Sequence, residues 1–205
     1  FGMITIKVNK NFIVPNISSI EGNLNDFDQI ENWFYSEHDP ILVITGGGGM
    51  GKTTSSKVIA DKFREVKTNS NVIFIEASDT AVMNTLIRLS ESKDIDLYDF
   101  YVSSLPERAI SRDLFRINID NGNFLLIIDG LDEVFSKIPD FDVKNFIACI
   151  TNDFVKEVGI GKVLLTCRSY FWKDNISKET HINHFEIEPF SEKHARHFFE
   201  LKFSD

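Results

Sequence analysis

The sequence predicts an α/β fold, a parallel sheet covered by helices on both faces. Three observations predict it. Short apolar runs of strand length recur at Ile41–Thr45, Val72–Ile75, Phe124–Ile128 and Lys162–Thr166. The segments between them place apolar residues at helical spacing. Two of the runs then break into residues that do chemistry, a glycine-rich loop after Thr45 and an acid at Asp129. Continuous apolar runs are what strands buried on both faces look like, and joining parallel strands takes a helical crossover.

In order, Phe1 to Ser19 carries β-branched residues and reads as a short strand with an extended lead-in. Phe27, Ile30 and Phe34 predict a helix over 26–36, with Asn25 or Asp26 as its cap. Residues 1–39 are thus read as a lead-in and 40–205 as the core domain. The first core strand, 41–45, feeds the glycine loop and a helix from Ser55 to Val66. Residues 68–71 form a turn, and Val72–Ile75 is the second strand. Ser78-Asp79-Thr80 caps a helix burying Met83, Leu86 and Ile87. The stretch from Asp94 to Val102 gives no clear signal. Pro106 opens a helix with Ile110, Leu114 and Ile117 inward, closed by Asn121-Gly122. Phe124–Ile128 is the third strand. A stripe of Val143, Phe146, Ile147, Ile150, Phe154 and Val158 predicts a helix over 140–158, ended by Gly159. Lys162–Thr166 is the fourth strand. Phe185–Glu188 alternates and reads as a fifth, at an edge; Ser191 caps a last helix that buries Ala195, Phe198 and Phe199.

The loop Gly46-Gly-Gly-Gly-Met-Gly-Lys-Thr53 fits G-x-x-x-x-G-K-[ST] and sits where that motif works, after a strand and before a helix. Glycines let backbone N–H groups approach a polyphosphate with no Cβ in the way. The following helix turns its free N–H groups and positive dipole end toward the anion. The candidate nucleotide-binding set is Gly46, Gly47, Gly48, Gly49, Met50, Gly51, Lys52, Thr53 and Thr54. Lys52 would reach the terminal phosphates and the Thr53 hydroxyl would ligate Mg²⁺.

Phosphoryl chemistry also needs a metal holder and a group that orients the attacking water. Leu125-Leu-Ile-Ile-Asp129 offers an acid where an apolar strand leaves the core, the Walker B pattern, so Asp129 would hold Mg²⁺. Asp132 or Glu133, just beyond, could act as general base. Thr166-Cys167-Arg168 ends the fourth strand with an arginine aimed at the same crevice.

Composition narrows the partners. A net charge of −9 over 205 residues gives no general attraction to nucleic acid, and no Lys/Arg run stands out. With 42% hydrophobic residues and 19 Phe a large core can form. Cys149 and Cys167 lie in apolar segments and read as buried free thiols of a reducing cytosol. No apolar stretch has the length of a membrane span. A chain starting at Phe1 is expected to be a fragment of a longer protein. Asn9-Lys10 is followed by Asn11 and Phe12, so the guanine-reading N-K-x-D signature is missing and adenine is expected. His181, His184, His194 and His197 lack cysteine partners and read as solvated or capping groups, not metal ligands.

Gly46–Thr53, Leu125–Glu133 and Leu164–Arg168 together resemble the STAND class of P-loop ATPases, in particular NACHT domains, with Asp129-Gly-Leu-Asp-Glu133 the specific part. The resemblance covers roughly Pro40 to Phe199. It implies a three-layer P-loop NTPase with a parallel five-stranded sheet in the order 5-1-4-3-2. It implies ATP/ADP and Mg²⁺ as cofactors: Lys52 and Thr53 on phosphate and metal, Asp129 on Mg²⁺, Asp132 or Glu133 supporting hydrolysis, and Arg168 as sensor. Lead-in residues Phe12, Ile13, Val14 and Pro15 become candidates for packing on adenine. The function implied is a signalling switch, as in innate-immune receptors and anti-phage sensors. In it, slow hydrolysis would reset a domain that self-associates and contacts other domains of its own chain. Gly130 stands where AAA+ ATPases carry a catalytic Glu, which argues against a fast, mechanically coupled motor. Ser169 follows the sensor arginine where NACHT proteins often have Pro. The alternatives are a P-loop kinase acting on a small molecule and a non-hydrolysing ADP/ATP-dependent scaffold.

Overall fold

The computed structural model describes residues 12–19, 24–25, 30–37, 39–67, 70–80, 82–84, 97–104, 107, 109–138, 143–154, 161–175 and 182–203. In chain order the elements are β1 (Ile17–Ser19), β2 (Leu24–Asn25), α1 (Ile30–Tyr35), β3 (Ile41–Thr45), α2 (Lys52–Val66), β4 (Asn71–Glu76), α3 (Leu97–Ser104) and α4 (Arg112–Asp120). They continue with β5 (Phe124–Asp129), α5 (Leu131–Lys137), α6 (Val143–Phe154), β6 (Lys162–Cys167), α7 (Ser169–Asn175), β7 (Ile182–Ile187) and α8 (Glu192–Phe203).

Among the described residues these strands make one sheet, ordered β2-β1-β7-β3-β6-β5-β4. β3 pairs in parallel with both β6 and β7, and β5 with both β6 and β4. β1 runs antiparallel to β7 and to β2. The five strands expected from the sequence do run parallel in the order 5-1-4-3-2, as β7-β3-β6-β5-β4, but the expected five-stranded, wholly parallel sheet is corrected: β1 and β2 extend it antiparallel, so the sheet as a whole is mixed. The reason lies in the lead-in. Ile17 pairs with Ile187 and is fully buried, so β1 covers the flank of β7, which is not an edge.

Every residue of β3, β5 and β6 is buried, which is why these stretches read as apolar runs broken only at their ends. The two-residue period of the strands splits their side chains between two cores. Leu42, Ile44, Leu125, Ile127 and Leu164 face α1 and α2, where Phe63 meets Phe34 edge-on at 5.1 Å. Ile41, Val43, Leu126, Ile128, Val163 and Leu165 face Phe100 of α3, Phe115 of α4 and Phe146 of α6. That is a three-layer α/β sandwich.

Several local expectations are corrected. α4 begins at Arg112, because Ser111 caps it by accepting from Leu114 N–H at 3.3 Å. Its buried face is Phe115 and Ile119, whereas Leu114 and Ile117 are 46% and 53% exposed. Phe115 won the inward position because it stacks on Tyr101, 4.9 Å between centroids, and meets Phe124 edge-on. The unplaced 94–102 region holds the start of α3, anchored by buried Leu97, Phe100 and Tyr101. α7 follows β6 directly and buries Phe171 and Trp172. Ser191 does cap α8, accepting from His194 N–H at 3.4 Å, but no described residue of α8 is buried and Phe199 is 59% exposed. Phe27, Leu86, Ile87 and Val158 lie outside the described residues, as do the side chains of Cys149 and Phe154.

Candidate functional site

The site is built where parallel strands end. β3 stops at Thr45, residues 46–51 form the loop, and α2 starts at Lys52. Gly51 takes the helix N-cap position at φ 87, a left-handed conformation that an L side chain would strain. No side chain caps α2, so its first N–H groups are left for a ligand. Lys52 Nζ folds over the loop and donates to Gly46 O at 2.9 Å and Gly47 O at 2.8 Å. Gly47 N–H donates to Met50 Sδ at 3.1 Å, closing the loop from within.

β5 delivers Asp129 to the same end of the sheet, 8% exposed. Its Oδ2 accepts from Thr53 Oγ1 and its Oδ1 from Thr166 Oγ1, both at 2.6 Å. Thr166 Oγ1 in turn accepts from Gly130 N–H at 2.9 Å. Gly130 caps α5 at φ 82, and a Cβ there would lie 3.8 Å from the Glu133 carboxylate. A left-handed turn at this position brings Asp132 and Glu133 back over the strand end, which a side chain at 130 would oppose.

The two acids then part. Asp132 is 7% exposed and holds Arg168 twice: Oδ1 accepts from its backbone N–H at 3.0 Å, and Oδ2 pairs with Nε at 3.1 Å. Glu133 is exposed. Both line one cavity of about 470 Å³ together with Gly48, Gly49, Met50, Gly51, Lys52, Thr53, Thr54, Asp129 and Arg168. Gly46 and Gly47 do not line it; their carbonyls hold Lys52. Ile13 and Pro15 are buried in the strap, Phe12 packs on the core under α2, and Val14 is exposed; none of the four lines this cavity. His184 bonds Thr45 Oγ1 at 2.8 Å, and His194 bonds Ser191; among the described residues no three or more His, Cys, Asp and Glu side chains gather as metal ligands, and His181 lies outside them.

Sequence reading missed Glu76, Ser78, Gly130 and Thr166 on the cavity wall. Thr166 had a signal, a lone hydroxyl at the end of an apolar strand. Glu76 and Ser78 had none, because only the pairing of β4 with β5 sets Glu76 beside Asp129.

Burial lowers the pKa of the Lys52 ammonium from its usual value, against an opposing pull from Asp132. The Cys167 thiol, fully buried at the end of β6, is pushed well up by burial and then by Asp132, so it is inert as a nucleophile. The donor set suits a magnesium polyphosphate. A hydroxyl and a carboxylate 2.6 Å apart are the hard oxygen ligands Mg²⁺ takes, beside a lysine and uncapped helix N–H groups for the anion.

A family model, the NACHT domain, matches residues 40–205. No curated protein matches the sequence. Similar solved structures include AMPPCP-bound DnaA from Aquifex aeolicus, at 17% identity and TM-score 0.50, covering 86% of this chain and 48% of that one. The ORC2 protein of Aeropyrum pernix, in ADPNP–ADP complexes, aligns at 14% identity and TM-score 0.51, covering 95% and 55%. The chain spans about half the length of these two proteins, and the likeness is one of fold, P-loop NTPase-like α/β.

Proposed function

The chain belongs to the NACHT domain family, and from that premise we propose that it binds ATP with Mg²⁺, hydrolyses it slowly, and uses the exchange to gate a conformational or assembly switch. The observation that carries the reading is the convergence of Lys52, Asp129 and Arg168 on one cavity. Adenine is favoured by the missing guanine signature. It is also favoured by the nucleotides in the two similar structures, AMPPCP in DnaA and ADPNP with ADP in ORC2.

In this reading Lys52 leaves the Gly46 and Gly47 carbonyls for the terminal phosphates, and its desolvation strengthens that attraction. The loop N–H groups and the start of α2 hold the remaining phosphate oxygens. Thr53 and Asp129 would hold Mg²⁺, whose charge neutralises the phosphates. Glu133, exposed on the cavity wall, orients the attacking water and accepts its proton. Arg168 answers the charge on the terminal phosphate. A site whose cation contacts depend on that phosphate binds two nucleotide states differently, and this difference is what biases a switch. Family membership supports a signalling role with self-association, such as antiviral defence.

The test is calorimetric titration of Mg-ATP into the protein and into Lys52→Ala, with phosphate release followed in parallel. Lys52→Ala is expected to lose about 10- to 100-fold in affinity, the worth of charge-assisted hydrogen bonds. Equal affinity in the two proteins overturns the assignment. Binding without phosphate release would point to a nucleotide-dependent scaffold.

A further inference from the structure

We propose that Asp132 is a positioning residue that aims Arg168 at the terminal phosphate and so sets the preference for ATP over ADP. The inference rests on the triphosphate-site reading above and assigns one of its two acids a task other than proton transfer.

Three observations carry it. Asp132 grips Arg168 at two points, the backbone N–H through Oδ1 and the guanidinium Nε through Oδ2. The Arg168 carbonyl is held as well, accepting from Trp172 N–H at 3.2 Å, where α7 begins on buried Phe171 and Trp172. The backbone of Arg168 is thus fixed from both sides, and its side chain is fixed as far as Nε. Only the two terminal nitrogens are left to meet an anion, so little freedom remains to be lost when one arrives.

Burial runs the same way. The Asp132 side chain is 7% exposed and that of Arg168 47%, so the carboxylate is the anchored partner and the cation opens onto the cavity. A carboxylate buried that deeply keeps its partner, since an unpaired one is strongly disfavoured. Both Asp132 oxygens are committed to Arg168, which leaves water orientation to exposed Glu133 next in the chain.

ADP and a non-hydrolysable ATP analogue, each with Mg²⁺, are titrated into the whole chain as wild type, Asp132→Ala, Asp132→Asn, Arg168→Ala and the Asp132→Ala/Arg168→Ala double variant. Thermal melts check folding, and Asp132→Asn, matched in shape, keeps the comparison open if the alanine variant unfolds. The expected result is a loss of about tenfold in analogue affinity for Asp132→Ala, the worth of one charge-assisted contact, with ADP affinity unchanged. The double variant should be no weaker than Arg168→Ala alone, the mark of two residues acting as one unit. Phosphate release from ATP is followed in the same variants, and hydrolysis lost at unchanged analogue affinity would make Asp132 the base and overturn the proposal. Equal losses for both nucleotides, or losses that add in the double variant, would reduce it to a structural pair and overturn it too. A wild type that binds neither nucleotide sinks the site reading itself. A wild type that binds both, with Asp132 variants that do not follow Arg168→Ala, sinks this inference alone.

Discussion

Thr53 Oγ1 donates to Asp129 Oδ2 at 2.6 Å across 76 residues of sequence. The hydroxyl comes from the first turn of α2 and the carboxylate from the last residue of β5, and β6 lies between β3 and β5 in the sheet. Thr166, on that intervening strand, ties the other Asp129 oxygen. One carboxylate therefore joins three segments at the cavity floor, and replacing it tests whether it also holds a metal.

Asp129→Asn keeps the shape and an acceptor, and both threonine hydroxyls can rotate to suit it. We expect the Mg²⁺-dependent part of nucleotide affinity to fall at least about tenfold, as for a lost charge-assisted contact. Affinity measured with EDTA in place of Mg²⁺ should change little. Titrations in both buffers decide it; equal losses in the two would remove Asp129 from the metal.

Gly130→Ala is expected to cost about 1–2 kcal/mol, since φ 82 is a left-handed conformation that any Cβ disfavours. Gly48→Ala has open space around its Cβ position and no positive φ, so it should unfold close to wild type. Denaturant titrations of the two variants compare them directly.

The corrected face of α4 gives a paired test. Phe115→Ala removes a ring packed on Tyr101 and Phe124 and should cost about 3–5 kcal/mol. Leu114→Ala, one residue earlier and 46% exposed, should stay within about 0.5 kcal/mol of wild type. A larger loss at Leu114 than at Phe115 would mean that α4 packs by its other face.

Lys162 is fully buried at the start of β6, with Nζ bonded to the Ser36 carbonyl, and burial pulls its pKa down to about 8. The folded value lies below the ordinary 10.5, so above pH 8 the unfolded chain binds more protons than the native one. The destabilisation from burying this charge is full below pH 8 and fades as pH climbs to 10.5. Relative to Lys162→Met, the wild type should therefore gain stability across that window, with a slope of up to about 1.4 kcal/mol per pH unit. Denaturant unfolding of both proteins between pH 7 and 10 gives the difference, and a flat one would mean that Lys162 keeps its proton.

Much of the site was legible because its parts are local. A glycine loop between a strand and a helix, and an acid after four apolar residues, carry their meaning within a few positions. What was not legible is pairing. Nothing near Glu76 in the chain says that β4 lies against β5, and nothing near Asp132 says that its carboxylate will close on an arginine 36 residues away. Helix faces failed for a related reason. In α4 both Leu114 and Phe115 fit an apolar stripe, and the aromatic neighbours supplied by α3 and β5 chose between them.

The amino-acid order alone determined the alternation of strands and helices, the phosphate loop and the acids at the strand end, because each follows from steric preference and hydrophobic period over a few residues. Only the folded chain decided the mixed sheet and the separate fates of Asp132 and Glu133. Burial and pairing depend on what distant segments bring alongside, and a carboxylate is left exposed or clamped according to the neighbour it meets.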